Sequence, residues 1–274
     1  GILVMLMGRQ YINKFTEKTT EFYALIILAT LGMMVMACAG DLITIYIGLE
    51  LMTVTFYILT AYLLNDGPSA EAGLKYLILG AISSAVLLFG MSLVFAMTGT
   101  TVIRDMAAQF TAQPAMIAGI VLMMAGFAFK ISAVPFHMWA PDIYQGAPTP
   151  VTTYLAVASK AAGFAALVRV FMVAFPLDQF NWSLALAVLA ALTIVVGNLV
   201  ALVQTNVKRL LAYSSIAQAG YILVGLVAAN VYGLKGVLFY ALLYVFSNTG
   251  AFAVATAVEV EEGSTDMEAF NGLS

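Results

Sequence analysis

The sequence predicts an all-α fold: a polytopic transmembrane helix bundle with inverted-topology repeats and one proline-broken helix. Composition is the first reason. The chain is 63% hydrophobic and 9% charged, where a soluble domain carries roughly 25% charged residues. The second reason is the length of its apolar runs. About 18 consecutive apolar residues suffice for a transmembrane helix, and lipid leaves helices or closed barrels as the only spanning structures. Mean hydropathy is +1.00. The net charge of -3 argues against a nucleic-acid partner. One cysteine, Cys38, and one histidine, His137, leave no disulfide framework and no multi-ligand Cys/His metal site. No Walker loop or dinucleotide fingerprint stands in a strand-helix context. No cofactor is therefore expected in this chain.

Residues 1–7, GILVMLM, rise only about 10 Å as helix, a third of the hydrocarbon core. They read as the tail of a cut helix. They lack the charged n-region and cleavage site of a signal peptide. A loop over 8–21 follows. The predicted spans are 22–40, 43–64, 71–98, 115–146 (broken), 150–174, 183–204, 208–229 and 232–258. Turn chemistry separates them at Asn65-Asp66-Gly67-Pro68-Ser69, Gly99-Thr100-Thr101, Gly146-Ala147-Pro148-Thr149-Pro150 and Pro176-Leu177-Asp178. The chain reads as a fragment with helices missing on both sides. Arg9, Lys14, Lys18, Lys208 and Arg209 fall on one side of these spans, against Arg104, Arg169 and Lys235 near the other. The positive-inside rule then places loop 8–21 and the tail 259–274 in the cytoplasm of a bacterial cell (inner) membrane. Gly73-Leu74-Lys75 opens one span and Gly233-Leu234-Lys235 opens another, five spans on. An odd offset reverses orientation, as an inverted repeat requires.

Charge inside the apolar runs carries the functional reading. Glu50, Lys75, Lys130, Lys160 and Lys235 lie within or at the edge of spans. An ionised group at bilayer depth costs about 2.5–3.5 kcal/mol on insertion scales, so it faces protein or water rather than lipid. Glu50 is either an ion-pair partner or a proton site. Lys130 precedes Pro135, whose ring clashes with the carbonyl of Ile131, so the helix should break about one turn after Lys130. Broken helices mark ion sites in transporters; the alternative is a plain kink with a snorkelling lysine, although Lys130 is about 20 Å from the outer end of its span. Lys160 sits mid-span among Ala158, Ser159, Ala161, Ala162 and Gly163, small residues that admit close helix approach and leave room for water. Lys75 has Glu71 four residues back, a ready i,i+4 pair. Lys235 is placed to snorkel. His137 is either a proton relay toward the cytoplasmic face or simply hydrogen-bonded. Asp142 can cap or pair, Ser214, Ser215, Gln218 and Tyr221 can order water or bond between helices, and Glu259, Glu261, Glu262, Asp266 and Glu268 read as a solvated loop. Burial in general lowers a lysine pKa and raises a glutamate pKa, so a row of lysines linked by water can pass protons while each senses its neighbour's charge.

The run AGFAFKISAVPFHMWAPDIYQGAPTPVTTYLAVASKAAGFAALVRVF resembles the broken-helix region of the antiporter-like proton-pumping subunits of respiratory complex I, a family shared with Mrp-type antiporters. SAEAGLKYLILGAISSAVLLFGMSLVFAMTGTT and GNLVALVQTNVKRLLAYSSIAQAGYILVGL are similar to the same family, most of all to its subunit N branch. The likeness covers nearly the whole chain. It implies a fourteen-helix subunit with two inverted five-helix repeats, of which 1–274 would be one membrane domain holding a first repeat over 22–174 and an incomplete second over 183–258. The family's glutamate and lysines of the proton path match Glu50, Lys75, Lys130 and Lys160; a further family lysine lies beyond the end of this chain. The implied function is proton translocation in NADH:quinone oxidoreductase, coupled to quinone reduction elsewhere in the complex, with other membrane subunits, lipid and protons as partners. A sodium/proton antiporter subunit and a passive scaffold are the rival readings.

Overall fold

The computed structural model describes residues 1–272. Leu273 and Ser274, the end of the tail expected in the cytoplasm, lie outside the described residues. The chain folds into helices α1 (Ile2–Phe15), α2 (Thr19–Cys38), α3 (Leu42–Thr60), α4 (Gly67–Thr98), α5 (Ile103–Met106), α6 (Pro114–Lys130), α7 (Trp139–Gly146), α8 (Thr149–Tyr154), α9 (Lys160–Ala174), α10 (Trp182–Ala201), α11 (Val207–Val227) and α12 (Val231–Glu262). A π-helical turn, Leu155–Ser159, joins α8 to α9. Among the described residues, seven stretches are long and apolar enough to cross a membrane, counting Thr149–Ala174 as one. The remaining expected span, 115–146, is split into α6 and α7, as its expected break requires. The all-α polytopic reading therefore holds.

Two expectations at the ends are corrected. The loop expected over 8–21 is helical as far as Phe15, because Tyr11 and Ile12 are buried against the bundle. The last helix runs past 258 to Glu262 and stops at Gly263, whose φ of 73° gives the left-handed conformation of a helix terminus. Elsewhere the turn chemistry acts as read. Asp66 caps α4 by accepting from Ser69 N at 2.9 Å, with Pro68 in the first turn. Asp41 caps α3 through the Thr44 hydroxyl and amide, at 2.7 and 2.9 Å, and these bonds hold its carboxyl below the usual range.

Between membrane helices the association energy comes from close packing rather than from excluding water. Helices α2 and α3 show this at Gly32 and Gly48. A Cβ added to either would lie 2.6 Å from a backbone nitrogen of the other helix, of Met52 or Met36. Gly48→Leu is expected to force the helices apart and to destabilise by more than the ~1–3 kcal/mol of ordinary overpacking. Thermal unfolding of the detergent-extracted protein measures it, and an unchanged Tm would show that the crossing tolerates a side chain.

The alternating turns bring residues 16–18, 62–66, 145–148, 206 and 263–266 to one face, around a vestibule of about 1040 Å³. Lys18 and Lys208 line it, and Arg209 and Lys14 bond beside it, so four of the five cations expected on one side lie together. The short half-helix α7 lies between α4 and α11, ending at this vestibule.

Candidate functional site

The site is built on the break between α6 and α7. Helix α6 ends at Lys130 itself, not a turn later as Pro135 suggested. The cause is a helix-terminating motif upstream of the proline. Ala133 N donates to Ala128 O at 2.8 Å and Ser132 N to Phe129 O at 2.9 Å, with Ser132 left-handed at φ 61°. This is the Schellman pattern, with serine where glycine is usual. The freed backbone groups are then met by side chains: Val134 N donates to Thr193 Oγ1 and Trp139 Nε1 to Phe129 O, both at 2.9 Å. Non-helical backbone at membrane depth survives only on such terms. Ser132 is fully buried and its hydroxyl has no partner. Ser132→Gly should therefore match or exceed the native Tm, whereas the β-branched Ser132→Val should lower it through roughly 1–3 kcal/mol of added backbone strain. A destabilised glycine variant would contradict this reading of the terminus.

Termination there places the Lys130 side chain in the interior. It is 4% exposed, donates to Thr53 Oγ1, and its Nζ lies 5.8 Å from the Tyr76 ring centroid. A cavity of about 10 Å³, lined by Ser83, Ser84, Gly80 and Lys130 among others, gives room for about one water. Glu50 lies one turn before Thr53 on α3. One of its oxygens, Oε1, is buried without a hydrogen-bond partner, and neither oxygen comes within 4 Å of a lysine. Lys130 thus holds the Thr53 hydroxyl while the Glu50 side chain stands one turn from Thr53 on α3.

Lys160 follows the π turn, an irregularity often found at functional sites. It is 2% exposed and donates to Ser215 O at 3.0 Å and to Ser215 Oγ at 2.5 Å. Tyr244 joins the same hydroxyl at 2.7 Å. Its Nζ lies 5.8 Å from the Tyr144 ring centroid. Between the two lysines run three rings. Tyr76 stacks on Trp139 at 5.0 Å and 9°, and Trp139 meets Tyr144 edge-on at 6.0 Å. These rings form an aromatic partition between Lys130 and Lys160, where a row linked by water was expected.

The remaining candidates lie apart. Lys75 stands in the vestibule wall, paired with Glu71 at 2.7 Å and Asp142 at 3.2 Å. Asp142 also accepts from Arg209 at 2.7 Å, so it ties α7 to α4 and α11. The Lys75, Asp142 and Arg209 side chains are between 32% and 42% exposed, so each pair contributes under about 1 kcal/mol; Asp142→Asn should leave Tm almost unchanged, and a large drop would show that the clamp holds α7 in place. His137 is in the break itself, between outward-facing Phe136 and Met138, and its Nδ1 has no partner. Helix α7 lies between it and the vestibule, about 12 Å, so a direct relay to that face is not built. Lys235 is exposed beside the Tyr232 ring, as snorkelling requires. Ser215, Gln218 and Tyr221 bond between helices, the latter two to Tyr240 and Asn198.

Two groups escaped the sequence reading. Lys208 is 3% exposed, donates to Ala147 O at 2.7 Å and lies 3.9 Å from Glu259. Glu259 accepts from Tyr11 at 3.2 Å and from Thr149. The acidic stretch expected as a solvated loop is helical there, and Glu259 turns inward. The signal was its i,i+4 and i,i+7 spacing from buried Ala255 and Phe252.

Residues 39–274 match the protein family described as NADH:quinone oxidoreductase/Mrp antiporter, TM. The chain belongs to this family. Among relatives, it is 60% identical over 275 residues to the NADH-quinone oxidoreductase subunit N of Heliobacterium modesticaldum, covering all of this chain and 58% of that protein. The antiporter-family fold recurs in respiratory complex I from Thermus thermophilus with bound aureothin, at 40% identity and TM-score 0.78 over 93% of this chain and 56% of that one. It recurs again in the membrane-bound sulfane sulfur reductase, an archaeal respiratory membrane complex, at 32% identity and TM-score 0.87 over 100% and 58%. The chain spans a little under three-fifths of the length of the curated relatives it matches.

Proposed function

We propose that this chain is the larger part of a proton-translocating membrane subunit of NADH:quinone oxidoreductase. The observation that carries the reading is the pair of buried lysines, Lys130 held by a hydroxyl and Lys160 by a hydroxyl and a carbonyl oxygen, and, among the described residues, neither in an ion pair. An uncompensated buried charge is costly enough that a purely structural role would replace it with an apolar side chain. A transport role explains its presence. The 60% identity to a subunit N supports the complex over the antiporter.

In the proposed mechanism Lys130 changes partner between Thr53 and Glu50. Redox work elsewhere in the complex drives that change, and the aromatic partition opens as the proton passes toward Lys160. Moving one charge against 100 mV requires about 2.3 kcal/mol, within the range of a single exchanged contact in a low-dielectric interior. Lys75 tunes the cytoplasmic approach through Glu71 and Asp142. His137 is assigned a proton-transfer role at the break, toward a neighbouring helix rather than the vestibule. The chain is thus a translocase component with its redox centres in partner subunits, set in a bacterial cell membrane with the vestibule facing the cytoplasm. The two-repeat organisation is part of the proposal: α4 and α12 both run 32 residues and carry Gly-Leu-Lys near their N-terminal ends, and in each the glycine abuts the end of the preceding helix, at Ala61 or at Gly225 and Ala228.

The test uses inverted membrane vesicles containing the complete complex. NADH-driven acidification that is independent of sodium and lost in Glu50→Gln fits the proposal. Sodium-dependent proton exchange without NADH points to the Mrp-type antiporter, and full pumping in Glu50→Gln points to a scaffold.

A further inference from the structure

Lys208 and Glu259 are absorbed by none of the roles above, yet they occupy the floor of the vestibule directly beneath its charged mouth. Lys208 is almost fully buried and Glu259 is 16% exposed in its side chain, so the pair sits at the boundary between the open face and the interior. The lining carries more carboxylates than lysines, which favours positive charge in the vestibule.

Two elements connect this floor to Lys160. On α11, Lys208 and Ser215 are seven residues apart, two turns on one face, about 10 Å along the axis. Ser215 holds the Lys160 amine, and buried Ala212 lies between, a small side chain. On α7, one turn runs from Tyr144, whose ring faces the Lys160 amine, to Ala147, whose carbonyl accepts from Lys208. The Tyr144 hydroxyl is buried in this interval without a hydrogen-bond partner. Each end of the interval is thus an amine held by oxygen, with an unengaged hydroxyl along the way.

We infer that Lys208 and Glu259 form the gate through which Lys160 exchanges protons with the vestibule, an inference that rests on the proton-translocation reading. In the resting pair Lys208 is an ammonium and Glu259 a carboxylate. The ammonium gives its proton inward, past Tyr144, to a neutral Lys160 amine and becomes an amine. Glu259, having lost its counter-charge, takes a proton from vestibule water and passes it to Lys208. The pair is restored, and one proton has moved from the vestibule to Lys160. Tyr11 and Thr149 position the carboxylate throughout.

The plain alternative is that Lys208 caps the carboxyl end of α7, where a cation is favoured, and Glu259 merely balances it. Lys208→Arg separates the two. Arginine keeps the charge, the cap and the ion pair but does not release its proton. In the full-length subunit within the complete complex, the gate predicts that Lys208→Arg assembles but pumps at under a tenth of the wild-type rate, that Glu259→Gln does the same, and that Glu259→Asp recovers most of the rate. Wild-type pumping in Lys208→Arg or in Glu259→Gln would overturn the gate, as would loss of assembly in both. Lys160→Met is the reference. If it pumps normally, the translocation reading itself fails; if it stops pumping while the gate variants are normal, only the gate fails.

Discussion

Lys130→Ala, placed in the full-length subunit and assembled in its complex, should cut NADH-driven proton uptake by tenfold or more while leaving the complex intact. The size follows from what a positioned proton donor contributes, roughly 10²–10⁴-fold. Intact assembly follows from the local energetics. The variant removes a desolvated ammonium, which relieves a burial cost, and loses one hydrogen bond to Thr53. The Thr53 hydroxyl left behind costs roughly 1–3 kcal/mol, too little to unfold a helix bundle packed on every side. Uptake is read by a pH-sensitive dye in inverted vesicles, and assembly by native electrophoresis. Uptake at the wild-type rate would remove Lys130 from the path.

Trp139→Ala should have the largest effect on stability. The indole is buried, stacks on Tyr76 and Phe129, meets Tyr144 edge-on and supplies a second hydrogen bond to Phe129 O at the helix break, beside that of Ser132 N. Truncating such a side chain costs roughly 3–5 kcal/mol, and the lost hydrogen bond adds roughly 0.5–1.5, since Phe129 O keeps its bond from Ser132 N. The subunit is expected to be lost from the assembled complex or to unfold many degrees lower. Trp139→Phe keeps the stacking and loses only the hydrogen bond, so its deficit should be the smaller term alone. Equal stability of Trp139→Ala and wild type would mean that the three rings do not form the partition.

What the sequence revealed and what it concealed divide along physical lines. The spans were legible because lipid penalises every polar group, so hydropathy alone marks the helices. Lys130 and Lys160 were legible for the same reason: an ammonium in an apolar run stands out. The exact break was not, because Pro135 announces a clash with Ile131 but says nothing of a terminator three residues earlier built on a left-handed Ser132. Glu259 was misread because five acids in sixteen residues look like a solvated tail; only the continuation of α12 turns one of them inward. Lys208 looked like an interface cation, being next to Arg209 at a helix start. The aromatic partition joins Tyr76, Trp139 and Tyr144 across two helices, and no local pattern encodes which rings meet. His137, beside Pro135, invited a relay that the placement of α7 does not build.

The most direct test of the central claim counts protons moved per NADH oxidised in proteoliposomes holding the complete complex with Lys160→Met. Methionine matches the length of the side chain and deletes its charge and its proton. If the buried amines carry the transported proton, the ratio falls below that of the wild-type complex measured in parallel, with NADH oxidation slowed or uncoupled. An unchanged ratio at an unchanged rate would contradict the account, since protons would then be crossing by a route that bypasses Lys160.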